Sequence, residues 1–210
     1  MVWRDYIPVD VADLYEVHDY HHAAAILSNE FPSEFRDVCT VLRKFRITRE
    51  NLLGSTGYEG ARRKFSDVLG PLGWGEASFD VNLAVDGAIV GRSRLTVQHL
   101  KGRVAFCSLW SAEHMAPERD LCAFNRLFAY DQISVGVLVV ASCEIAPCFE
   151  SLIALAEQYD PACGATTAPR LGPDGILGCS LGLRSESRSG CPVLVVWTTP
   201  KLLLHQTALS

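Results

Sequence analysis

The chain has 210 residues, 49% of them hydrophobic and 20% charged, and a net charge of -5. That balance belongs to a folded globule able to bury one substantial core, and it excludes a disordered chain or a uniformly basic nucleic-acid coat, although not a basic cleft. No apolar run approaches ~20 residues, and Met1-Val2-Trp3-Arg4-Asp5 lacks the apolar stretch of a signal peptide, so a cytoplasmic protein with no membrane partner is expected.

Ala12, Leu14, Tyr15 and Val17 hint at an entry strand or helix, and residues from about 12 to 70 are expected to form a mainly helical region. His18, His21 and His22 lack ligand spacing and read as surface or packing side chains. Ser33 is placed as a helix cap after Pro32, with Phe35, Val38, Val41, Leu42 and Phe45 recurring on one face. Thr48 caps a short second helix that Gly54 stops. A glycine-rich loop, Gly54 to Gly60, then leads to a basic helix over 61–69. Its Arg62, Arg63 and Lys64 either offer charge to phosphate from a helix N-terminus or form a solvated face. Arg43, Lys44, Arg46 and Arg49 pose the same choice.

A mixed-sheet core is expected from about 78 to 198, the whole chain forming a single domain. Ser78 to Val85 alternates, with Phe79, Val81, Leu83 and Val85 expected inward, and Asp86-Gly87 signals a tight hairpin. Arg94 to Gln98 alternates again, Lys101-Gly102 turns, and Val104 to Trp110 is the next strand. Glu118 and Asp120 suit a helix N-terminus, and Leu121, Phe124, Leu127 and Phe128 supply that helix's apolar face. Ile133 to Val140 is apolar on both faces, as a central parallel strand is, so the helix before it must be a crossover. Pro147 opens a further helix, residues 171–190 read as a long loop, and Pro192 to Trp197 is a final strand. The eight cysteines contain no CxxC pair and read as reduced, mostly buried small side chains.

Lys101-Gly102-Arg103-Val104-Ala105, Trp110, Glu118 to Leu121 with Phe124, Arg126, Leu127 and Phe128, Ile133 to Val137 and Gly190 to Val195 follow one another as in a known group. Phe31-Pro32 and Gly73-Trp74 upstream extend the likeness to roughly His18–Trp197. The sequence resembles the BglII/BstYI type II restriction endonucleases of the PD-(D/E)XK superfamily. The resemblance implies an α/β fold with a mixed sheet flanked by helices, double-stranded DNA as partner and a homodimer. It also implies that Thr166 and Thr167 meet the major groove, joining Arg62, Arg63, Lys64, Arg184 and Arg188 as candidate DNA contacts.

The family's chemistry needs an aspartate on one strand, then a glutamate and a second acidic or amide residue two apart on the next, to hold Mg²⁺ against the scissile phosphate. Registered on Arg103-Val104-Ala105 and Trp110, those positions are Gln98, Cys107 and Leu109. A neutral amide, a soft thiol and an alkyl group do not make a magnesium site. Three readings follow. The chain binds DNA but cleaves poorly or not at all, and needs no cofactor. Alternatively it is an active Mg²⁺-dependent endonuclease of a restriction-modification system, with Glu113 or Asp86 as relocated acid, or a protein-interaction module on the same fold.

Overall fold

The computed structural model describes residues 3–48, 57–109, 117–140 and 190–203, and within these leaves out the side chains of residues 57–62, 109, 117 and 118. Among the described residues six strands form one sheet: β1 (Tyr15–Tyr20), β2 (Gly75–Val85), β3 (Ala88–Lys101), β4 (Val104–Leu109), β5 (Val135–Val140) and β6 (Val193–Thr198). Their order across the sheet is β1-β6-β5-β4-β3-β2. β2, β3 and β4 form an antiparallel meander, β4, β5 and β6 run parallel, and β1 returns antiparallel to β6.

The α-helices of the described residues are α1 (Val9–Ala12), α2 (Ala23–Glu30), α3 (Pro32–Lys44), α4 (Gly57–Leu69) and α5 (Pro117–Ala129). α5 is the crossover between parallel β4 and β5, as the apolar run before Val140 requires. β5 and β6 are buried at every position, because each has neighbours on both edges and helices or core on both faces. This is the α/β class with a mixed sheet flanked by helices that the sequence led us to expect.

The core has two layers, one on each face of the sheet. On one face, Phe65 of α4 stacks on Phe45 with ring centroids 4.4 Å apart and meets Phe106 of β4. Val38, Val41 and Leu42 of α3 and Leu27 of α2 complete that layer. On the other, Leu121, Phe124 and Leu127 of α5 cover Val97, Ala105, Leu138 and Val195. Gly136 lets the α5 layer close: a Cβ there would lie 2.4 Å from Cδ2 of Phe124. Asp37 of α3 ties its helix to the sheet by accepting from Trp74 Nε1 at 3.0 Å and from Lys101 Nζ of β3 at 2.7 Å.

Of the strand or helix expected at the entry segment, the structure forms the strand, β1, at one end of the strand order. Hydrogen bonding to β6 supplies its partner across almost the whole chain length, and local pattern does not register such a pairing. α3 starts on Pro32 itself, with no side-chain cap, and Ser33 bonds to Glu34 instead. Leu83 and Val85 keep the alternation of the strand but stay 62% and 50% exposed, outside the cluster that Phe79 and Val81 join. Phe128 is also exposed. Cys39, Cys107 and Cys191 are buried as expected, whereas Cys122 is exposed. The short helix after Thr48, the helix after Pro147 and the remaining cysteines lie outside the described residues.

Candidate functional site

β3 and β4 are laddered from Lys101–Val104 to His99–Phe106, and Gln98 stands at the next position, where the backbones part. Leu95 and Val97 pack on the α5 layer, but so does Leu100, so the period of two slips by one residue at Gln98 and His99. His99 turns to the opposite face, with its ring 5.9 Å from that of Phe106.

Gln98 fills the resulting gap with its side chain. Its Oε1 accepts from the Ser108 amide at 2.9 Å and from the Ser108 hydroxyl at 3.1 Å, while its Nε2 donates to the Ser108 carbonyl at 3.1 Å. Ser108 N–H can only donate and its carbonyl can only accept, so the carboxamide orientation is fixed by chemistry. The side chain thus replaces the backbone partner that an unbroken ladder would give Ser108.

Cys107, one residue before, is 1% exposed among Val97, Ala105 and Leu138 in the α5 layer. A thiolate there would be a desolvated charge in an apolar cluster. Leu109 ends β4, and its side chain is outside the described set. The residues at this corner do not fit Mg²⁺, which takes hard oxygen ligands: the single oxygen of the Gln98 amide already accepts two hydrogen bonds.

The relocated acids fare differently. Asp86 occupies the tip of the β2–β3 hairpin with φ +50°, and Gly87 follows at φ +81°, the left-handed pair of a two-residue hairpin turn. Along β3 that tip is roughly 30 Å from Gln98 at ~3.3 Å per residue, too far to share an ion. Glu113 lies outside the described residues. Asp120 stands in the first turn of α5, as expected of an acid at a helix N-terminus, and is buried there. Among the described residues no three His, Cys, Asp or Glu side chains come together as a metal-holding group.

Of the candidate DNA contacts, Arg63 is exposed, but Lys64 Nζ donates to the Arg46 carbonyl at 3.0 Å. α4 begins at Gly57, so Arg62, Arg63 and Lys64 sit in its second turn rather than at its N-terminus. The side chain of Arg62, and all of Thr166, Thr167, Arg184 and Arg188, lie outside the described residues. In the other basic cluster, Arg43 is held by Asp10 and Arg46 turns back onto the Arg43 and Phe45 carbonyls.

A polar row that the sequence reading passed over lies on the hairpin. Ser78, Asp80 and Asn82 of β2 oppose Thr96, Arg94 and Arg92 of β3, and all six are exposed. Ser78 and Thr96 hydroxyls are 3.3 Å apart, and Arg94 Nε donates to Asp80 at 2.9 Å, holding the Asp80 carboxyl below its ordinary range. The alternate residues Phe79, Val81 and Leu95 face the α5 layer, where Arg126 of α5 also reaches the Ser93 hydroxyl at 3.0 Å. The signal was the same period-two pattern, read for its apolar positions alone.

No helix among the described residues is long and apolar enough to cross a membrane. No curated protein matches the sequence. The family model for the restriction endonucleases BglII/BglIII matches residues 15–171, about three quarters of the chain. Its span takes in β1 through β5, with the Gln98 corner and the hairpin inside it. The chain therefore belongs to the BglII/BglIII restriction endonuclease family, a family directed at DNA.

Proposed function

We propose that this chain is a homodimeric, cytoplasmic DNA-binding relative of the PD-(D/E)XK type II endonucleases that cleaves poorly or not at all. Gln98, Cys107 and Leu109 stand where the metal-binding trio belongs. The observation that carries the reading is the Gln98 carboxamide closed onto Ser108 by three hydrogen bonds. Family catalysts use Mg²⁺ to neutralise charge at the phosphate and to activate water, and a neutral amide, a buried thiol and an alkyl side chain offer no carboxylate for that ion. Double-stranded DNA remains the partner, held by the family's scaffold rather than by these three positions.

Plasmid DNA incubated with the protein and Mg²⁺ or Mn²⁺ should stay intact, while random-sequence duplex should shift in a gel at low salt. Discrete fragments that disappear with EDTA would refute the loss of cleavage and return Glu113 to consideration. Absence of any shift would favour a protein-interaction role. Sedimentation of the free protein tests the dimer.

A further inference from the structure

We infer that the β2–β3 hairpin is a DNA-engaging arm whose polar face lies along the duplex backbone; this rests on the DNA-binding reading above. The hairpin is a two-stranded ribbon at one end of the strand order, and among the described residues no strand pairs with the outer side of β2. Such a ribbon fits the major groove, which is about 12 Å wide.

The ribbon's two faces differ in kind. One packs Phe79, Val81, Leu95 and Val97 toward α5. The other exposes Ser78, Asn82, Arg92, Arg94 and Thr96, which combine two guanidinium groups with neutral hydrogen-bonding side chains, the mixture that reads phosphate and sugar. From Asn82 to Ser78 the row runs about 14 Å at ~3.4 Å per residue, close to the axial rise of about four base-pair steps. Its last members point to Gln98, the position that the family register places beside the scissile phosphate. At the far end Leu83, Val85, Ile89 and Val90 stay 50–62% exposed, aliphatic surface suited to thymine methyls and sugar faces.

Asp80 is the discordant member. It neutralises Arg94 and sets a negative charge beside the phosphates. The arm therefore carries its own restraint, and removal of that carboxylate should tighten binding.

The full-length protein would be titrated against a random-sequence duplex over a range of salt concentrations. R92A/R94A should weaken binding roughly ten- to hundredfold near 0.1 M salt and lower the salt slope by about two. D80N should strengthen binding severalfold. All three side chains are exposed, so thermal melting should match wild type in each variant. Variants that bind as wild type does, with the same slope, would overturn the arm while leaving the DNA-binding reading intact. A wild-type protein that binds no duplex removes both. R92A/R94A that changes only the sedimentation of the free protein would assign this face to a contact between copies instead.

Discussion

Replacing Gln98 by glutamate, Q98E, changes one amide nitrogen to oxygen with almost no change in shape. One oxygen of the new carboxylate can still accept from the Ser108 amide and hydroxyl, but the other is pressed toward the Ser108 carbonyl, which has nothing to donate. The lost hydrogen bond is worth about 1 kcal/mol, and a partly buried carbonyl left facing a like charge adds a similar amount, giving about 2 kcal/mol in all. For a chain of this size that lowers Tm by roughly 4–8 °C. The deficit should depend on pH. A carboxyl held beside a carbonyl keeps its proton more tightly in the folded state than the unfolded value of about 4.3. An acid whose folded pKa is raised is stabilising below the unfolded value and loses that contribution as pH rises through the folded one. Urea denaturation of wild type and Q98E at pH 7 and near pH 4 should show a gap at neutral pH that narrows in acid, where the protonated carboxyl donates to Ser108. Equal stability at pH 7, or a gap indifferent to pH, would show that the amide does not clamp Ser108.

Gly136→Ala places a methyl 2.4 Å from the Phe124 ring, well inside the ~3.5–4.0 Å of a carbon contact, and Phe124 is fully buried, so urea unfolding should show a loss of about 1–3 kcal/mol. Tyr15→Phe removes the hydrogen bond from the Tyr15 hydroxyl to the Leu42 carbonyl, 2.9 Å long, and should cost about 1 kcal/mol at pH 7 by the same measurement. Burial pushes the Cys39 thiol up to about 11, the Cys191 thiol up to about 12 and the Tyr15 phenol upward. The folded state then holds protons that the unfolded chain has released, so stability should decline as pH rises above about 9. Tyr15→Phe should soften the decline above pH 10, and a flat pH–stability profile to pH 11 would contradict it. Asp37→Asn, which keeps an acceptor for Trp74 but loses the Lys101 charge, should cost about 1 kcal/mol at low salt, a deficit that shrinks as salt is added.

Where the pattern was strict, the elements followed it. Val135–Val140 and the Asp86-Gly87 turn rest on local rules, namely burial on both faces and left-handed backbone at two residues. Tyr15–Tyr20 was legible only as a choice between strand and helix, because an edge strand takes its partner from the last strand of the sheet and no nearby residue encodes that pairing. Leu83 and Val85 misled for the opposite reason. Their alternation is genuine, but alternation tells which face a side chain takes and not whether anything covers that face.

By itself the sequence determined the α/β class, the order of the meander and crossover, the family and the chemical identity of Gln98, Cys107 and Leu109, since all of these are carried by residue type and spacing. Tertiary structure decided what those residues do. A one-residue slip in β3 swings Gln98 into the gap beside Ser108, burial commits Cys107 to an apolar layer, and the length of the hairpin separates Asp86 from both. The physical reason is that ligand geometry and desolvation are set by which backbones part and which faces are covered, and those are properties of strands brought together from distant parts of the chain.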